Sequence, residues 1–511
     1  MVGAPAARAQ ELGSIAFPTS GTSAAQSEFV RGVLFMHSFE YASAADAFRR
    51  AQAVDPHFSM AYWGEALTYT HQVWNEQDAA AARAVLQRLG PTREARLAAA
   101  PTARERAYLA AVEALYGEGA KAHRDTLYAG AMEQIARSWP DDDEASVLYA
   151  TALLGLSQGV RDVPLYMRAG AIAQDVFRRN PRHPGAAHMI IHAFDDPVHA
   201  PLGLYAARQY SQIAPAAAHA QHMTTHIFLA LGMWSDVAAQ NVIAAGHDSS
   251  RWQPGHYTHW LLYAYLQQGR REAARALLAS LSAHAAGRAQ ARGPLANFRT
   301  RYVIETERWD SPEARALDAD VGAAGEDGYE YAAFAAGYAA AKRGDRARAE
   351  QMLQRLGQRN GPATTTLKPG ASGGEVVPVI TELSLRAELV RQDGKIDSAI
   401  ALLRRATALE DGMPAEFGPP AVVAPSHELL GAVLVAAGRT DEAAQEYAHA
   451  LQLQPGRSAA LLGSARAETA RGRRDAATRA YRKLADNWSQ ADSGIAGLPE
   501  ARTRAAPDKT R

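Results

Sequence analysis

Seven of the seventeen histidines in this 511-residue chain fall between His183 and His226, in the stretch HPGAAHMIIHAFDDPVHAPLGLYAARQYSQIAPAAAHAQHMTTH. His188 and His192 are four apart, and so are His222 and His226, so on helices each pair shares one face. The second pair follows the first at an interval of 34 residues. Neutral imidazole is a good ligand for zinc, copper, nickel and ferrous iron. Helices packed about 8–10 Å apart let two such pairs place three or four nitrogens around an ion at roughly 2.0–2.1 Å. The expected centre is therefore a transition metal on His188, His192, His222 and His226, with copper or zinc foremost and iron as a third choice.

Further residues extend this set. Asp195 and Asp196 directly follow the first pair and could be ligands or acceptors that fix an imidazole tautomer, although Asp-Asp-Pro is also an ordinary helix stop. His219 makes an i, i+3, i+7 stripe with His222 and His226. His183, before Pro184, reads as a helix-entry residue or a pocket residue. Counting 34 onward from His222 reaches His256, and aligning on turn glycines reaches His259; either presents an imidazole on a third neighbouring helix. His37 and His71 are also 34 apart and are expected to be stacked equivalents, joining the cluster only if the chain curls. The same holds for His427 and Glu428, whose HELLG lacks the second histidine of a zinc-protease HExxH. Gly155-Leu156-Ser157-Gln158-Gly159 fits a nucleophile elbow formally, but that geometry needs a strand feeding a helix, and its surroundings read as helical. Tyr62, Trp63, Tyr69 and Trp74 could stack on a ligand, but helical spacing of this kind more often marks core between helices.

A wall of imidazoles one repeat apart requires helix pairs that stack with a constant period. Ala, Leu, Arg and Glu dominate, apolar residues recur at helical spacing, and the chain is expected to be all-α. RGVLFMHSFEYASAADAFRRAQAVDP sets Gly32 against Ala44, Phe48 and Ala51 and closes at Pro56, the small and aromatic positions that let two antiparallel helices approach. Gly431, Gly438, Ala443, Tyr447, Ala450 and Pro455 repeat this plan near the C-terminus, and Gly472, Ala477 and Tyr481 repeat it again. This pattern resembles the tetratricopeptide repeat superfamily over most of residues 26–488. The resemblance implies a right-handed superhelical solenoid of antiparallel helix pairs. HPGAAH, IHAFDDP, HAQHM and PPAVVAP-HELLG are similar to segments of a histidine-rich bacterial subgroup with no established activity, so the resemblance supplies a fold and a site but no reaction.

The expected organisation is a remnant of an export signal or polar lead-in over 1–24, a repeat array with the histidine cluster over 25–295, an irregular repeat segment with a Gly/Pro-rich loop over 296–380, a C-terminal array over 381–492, and a disordered tail over 493–511. Lys plus Arg equals Asp plus Glu at 54 each, which gives no support for nucleic acid as a partner. The chain has no cysteine, excluding disulfides, thiolate metal sites and a cysteine nucleophile. Ala7-Arg8-Ala9 resembles the end of a secretory signal peptide, so a periplasmic or secreted location is expected. No apolar run reaches the roughly 20 residues that span a bilayer. Two functional classes remain open: a metalloprotein, as an oxidase, a hydrolase acting on a small molecule, or a carrier; and a scaffold for a protein or peptide partner.

Overall fold

Glycines facing aromatic rings set how closely the helices of this computed structural model pack. A Cβ on Gly32 would lie 2.6 Å from the Phe48 ring, and one on Gly64 would collide with the same ring. Phe48 is thus wedged between a helix of its own pair and a helix of the next, which is the interlock a stacked repeat needs. Tyr447 is held in the same way by Gly431 and Gly463. Six turns between paired helices end in a glycine with φ between 68° and 80°, at Gly232, Gly269, Gly344, Gly394, Gly438 and Gly472. That left-handed conformation closes a helix at little steric cost only for glycine.

The structure describes residues 11–158, 160–247, 254–323, 328–361, 367, 371–414 and 417–505. They form an all-α fold of successive helix pairs in two compact units that divide between Ile227 and Phe228, inside one helix and well before the expected boundary at residue 295. The first unit runs α1 (Ser23–His37), α2 (Tyr41–Val54), α3 (Ser59–Leu67), β1 (Thr70–His71), β2 (Glu76–Gln77), α4 (Ala79–Leu89), α5 (Arg93–Ala98), α6 (Ala103–Leu115), α7 (Lys121–Ser138), α8 (Asp143–Gly155), α9 (Val163–Arg179), α10 (Pro184–Ala193), α11 (Ala200–Ile213) and α12 (Ala218–Ala230), which carries the division. The second runs α13 (Trp234–His247), α14 (His256–Gln267), α15 (Arg271–Ala285), α16 (Arg292–Thr306), α17 (Pro312–Ala323), α18 (Tyr329–Lys342), α19 (Arg346–Asn360), α20 (Gly373–Gln392), α21 (Ile396–Asp411), α22 (Ser426–Ala436), α23 (Thr440–Leu453), α24 (Ser458–Ala470), α25 (Arg474–Asn487) and α26 (Leu498–Arg504). Among the described residues no helix is long and apolar enough to cross a membrane.

Four expectations need correction. The lead-in is packed: Leu12 and Phe17 are buried, and the Phe17 ring sits among Phe29, Trp63 and Tyr108. The tail is not without structure up to residue 505, because Ile495, Leu498 and Ala501 of its turn and helix are buried against Tyr481 and Leu484. The Gly/Pro-rich stretch 363–378 turns helical at Gly373, where Ser372 and Glu375 form a reciprocal cap, and Pro378 lies inside the helix, where it removes one i→i−4 hydrogen bond; residues 363–366 and 368–370 lie outside the described residues. His71 is not a stacked equivalent of His37. The helix stops at Leu67 and a two-residue antiparallel ladder, Thr70 with Gln77 and His71 with Glu76, takes its place.

Candidate metal centre

The helix that carries the first histidine pair starts and stops for local reasons. His183 is its N-cap, with Nδ1 accepting from the Ala186 N–H at 3.2 Å, and Pro184 takes the first helical position, where an N–H is not missed. Phe194 ends it, seated where a Cβ on Gly170 of α9 would come within 2.7 Å. Every residue of α10 is buried, so its two histidines are inside a packed wall. A buried polar group without a partner costs on the order of 1–3 kcal/mol, so each ring nitrogen must be accounted for.

His188 Nδ1 lies 2.7 Å from the backbone oxygen of His37. A carbonyl only accepts, so Nδ1 carries the proton and Nε2 is left with its lone pair. Nε2 is buried without a hydrogen-bond partner. On His192, 3% exposed, neither nitrogen has one. Burial holds both rings neutral: it takes His188 down to about 3, the His37 hydrogen bond opposing it, and it takes His192 well below the usual imidazole range, helped by the neighbouring His188. His219, on α12, completes a set of three whose ligand nitrogens all lie within 4.8 Å of one another. Its ring is 5.0 Å from that of His188, which is 4.7 Å from that of His192.

The second expected pair continues the same wall. The His222 and His226 Nε2 atoms are 3.2 Å apart, and the His226 ring is 6.1 Å from His192. Asp195 Oδ2, buried, accepts from His226 Nδ1 at 2.5 Å, which directs the Nε2 lone pair toward His222. The repeat does bring α10 and α12 histidines to one surface, but the nitrogens that gather most closely with His188 and His192 are those of His219, not of both His222 and His226. The three-residue offset between 219 and 222 is almost one turn of helix, a distance that a count of 34 does not resolve.

Asp195 and Asp196 separate in role. Asp196 accepts from the backbone N–H groups of Val198 and His199 at 2.8 and 2.9 Å, and binds the His199 ring at 2.7 Å and Arg161 at 2.5 Å, so it builds the turn into α11. His37 and His183 face each other across Glu144, with His37 Nε2 at 2.6 Å and His183 Nε2 at 3.1 Å from its two oxygens. Burial alone would raise the Glu144 carboxyl, but the two imidazoles beside it hold it well below the usual range. This buried triad is packed beneath the site, and its link to it is the His37 carbonyl. A Cβ on Gly185 would collide with His37 Nδ1, so glycine there is what admits the ring.

Sequence reasoning missed Glu144, Gly185 and, above all, Phe39. The last has φ 53°, a strained region for a bulky residue, and its ring centroid sits 4.2, 5.7 and 5.5 Å from those of His188, His192 and His219. Of the four aromatics noted in the sequence, Trp63 is core, whereas Trp74 is 46% exposed on the turn between β1 and β2 and 5.9 Å from His219. His71, stacked on Tyr41 at 4.1 Å and bonded to Glu76 at 3.1 Å, stands beside Trp74 rather than in the set. A cavity of about 40 Å³ behind Phe39, lined by Met36, His37 and Met189 among others, is the size of a water rather than a substrate.

The remaining expected pocket residues lie in the second unit. His256 is exposed at the start of α14. His259 Nε2 accepts from Arg301 Nε at 3.1 Å, which occupies that lone pair. Both oxygens of Glu428 are bound by Arg457, at 2.6 and 3.0 Å. His427 lies between Glu446 and Asp411, at 2.6 and 3.1 Å.

No family model matches this chain, and no curated protein does. Among solved structures it is similar to yeast Tom70, at 11% identity and a TM-score of 0.29, covering 94% of each chain. It is similar also to the human IFIT1 dimer with m7Gppp-AAAA, at 13% identity and a TM-score of 0.36, covering 93% of this chain and 92% of that one. A monomeric IFIT1 mutant with Gppp-AAAA overlaps at 14% identity and a TM-score of 0.38, over 83% and 90%. Overlaps this loose say nothing of partner or reaction, and the capped RNA belongs to those proteins.

Proposed function

We propose that this chain is a TPR-like metalloprotein whose first unit holds one transition-metal ion on His188, His192 and His219, with His222 and His226 alongside. The observation that carries this is the pair of buried imidazoles on α10 presenting three nitrogens with no hydrogen-bond partner. Their neutrality at ordinary pH is the protonation state a ligand needs, and an all-nitrogen set favours copper, zinc or ferrous iron over calcium or magnesium. When bound, such an ion with three protein ligands supplies Lewis acidity at an open position, the property a metal-dependent hydrolase or oxidase would use. The protein's part is orientation. The His37 carbonyl fixes the His188 tautomer, Asp195 fixes that of His226, and Phe39 stacks on the rings of His192 and His219. Export to the periplasm or beyond is part of the same proposal, resting on Ala7-Arg8-Ala9, which lies outside the described residues, and on the absence of cysteine.

A second reading, a scaffold for a protein or peptide, draws on a different surface. Val198, in the turn before α11, and Leu202 and Tyr205 on that helix leave 78%, 56% and 62% of their area exposed, more apolar surface than a solvated helix needs. Metal analysis of protein purified without an affinity tag separates the two. Near-stoichiometric copper, zinc or iron in the wild type, lost in His188→Ala and reduced in His226→Ala, supports the metal centre. Metal-free protein that binds none on titration leaves the scaffold.

A further inference from the structure

The second unit carries another gathering of ligand atoms, on three consecutive helices. Asp411 is the last residue of α21, His427 the second of α22, and His449 lies in α23. One carboxylate oxygen, Asp411 Oδ1, is 3.1 Å from His427 Nε2 and 2.8 Å from His449 Nε2. The two rings are 4.4 Å apart, and the three donor atoms all fall within 4.8 Å of one another. Ligands about 2.0–2.2 Å from one ion lie within such a span.

Two features distinguish this from an ordinary surface ion pair. His427 is only 6% exposed in its side chain, and Glu446 accepts from its Nδ1 at 2.6 Å, so its Nε2 is aimed by a carboxylate behind it, as ligating histidines generally are. Asp411 Oδ1 also serves both imidazoles at once, where two separate ion pairs would each take an oxygen of their own. Asp411 and His449 are 43% and 40% exposed, so an ion can enter and leave from solvent.

We propose that Asp411, His427 and His449 form a second site for a divalent transition-metal ion such as zinc, with Glu446 as the positioning residue. The site is independent of the imidazole wall in the first unit and has two nitrogens and one oxygen instead of nitrogens alone. Weaker, exchangeable binding follows from its exposure. The sequence marked only His427, because Asp411 and His449 stand at no repeat spacing from it.

Zinc alone titrated by calorimetry into the metal-stripped, tag-free full chain tests this. His449→Ala, a change at the surface, is expected to lower the bound zinc by one equivalent in the wild type and again in a His192→Ala background. Glu446→Gln is expected to weaken that equivalent by about 10–100-fold without altering helix content. Zinc stoichiometry and affinity unchanged by His449→Ala in both backgrounds would overturn the proposal. Loss of an equivalent in His449→Ala but none in His192→Ala would uphold it while removing support for the centre in the first unit.

Discussion

The buried polar walls of the two units are built on the same helical plan and end in opposite chemistry. In the second unit Arg457, 2% exposed, gives Nε and Nη2 to Glu428 and Nη1 to Glu305 at 2.6 Å and to the Tyr263 hydroxyl at 3.1 Å, while Gln267 donates to the other Glu305 oxygen at 3.1 Å. Charge is matched with charge and each guanidinium nitrogen of Arg457 has an acceptor, although Arg301 Nη1 nearby has none. In the first unit burial keeps the His188 and His192 rings neutral, and His188 Nε2 and both nitrogens of His192 have no hydrogen-bond partner. A wall that satisfies itself serves the fold, whereas convergent buried lone pairs are what the proposed metal centre would use.

The largest effect that would sharpen this contrast lies in the self-satisfied wall. Arg457→Ala strands two buried carboxylates and is expected to lose about 3–5 kcal/mol, read by chemical denaturation of the second unit; a loss under about 1 kcal/mol would show that the network contributes little. Next comes His188→Ala, expected to weaken metal binding by about 100-fold or more, beyond what loss of a residue that merely orients a ligand brings, while leaving the second unit's unfolding unchanged.

Acid acts on α10 and on α22 with opposite sign, whereas His259, elsewhere in the second unit and also held low by burial, follows α10. Below about pH 6.5 an unfolded imidazole takes up a proton that His188, held down to about 3, and His192 refuse while folded. Glu144, also depressed, adds to this below the ordinary carboxylate range. The unfolded state then binds more protons, so metal-free first unit loses stability as pH falls from about 6.5. His427 runs the other way: although burial lowers its pKa, hydrogen bonds to Glu446 and Asp411 raise it overall, so its contribution is complete below about pH 6.5 and is lost as pH rises through its folded value. Hydrogen exchange should therefore show α10 losing protection on acidification before α22 and α23 do. The reverse order would contradict the assigned protonation states.

The smallest expected effect is the most telling. His192→Leu, in metal-free protein, removes two unmatched nitrogens from a packed site and is expected to be neutral or stabilising by up to about 1 kcal/mol, as read by thermal unfolding. A loss of several kcal/mol would mean that His192 has a structural role of its own.

The helical repeat was legible because its signals are local: glycine turns, small-to-aromatic spacing and prolines after helices. The histidine wall was legible as far as periodicity carries, which places α10 and α12 histidines on one surface but leaves the choice between His219 and His222 open. What periodicity could not carry lay in breaks of the pattern. The β1–β2 hairpin that sets Trp74 beside His219 replaces a helix at Leu67, and Phe39 adopts a backbone conformation its side chain disfavours. Glu144 sits in an acidic helix start that reads as capping, and only the fold brings it under His37 and His183. Glu428 and Arg457 are 29 residues apart, a pairing fixed by neighbouring helices and by no repeat position.

X-ray absorption at the edge of the bound metal, on tag-free protein, reads the ligand set of the first unit itself. Three or more nitrogen neighbours are expected, at roughly 2.0–2.1 Å if the metal is zinc, with one nitrogen lost in each of His188→Ala, His192→Ala and His219→Ala at unchanged helix content. An oxygen-dominated shell that none of these substitutions alters, or the absence of any stoichiometric ion after reconstitution, would contradict it.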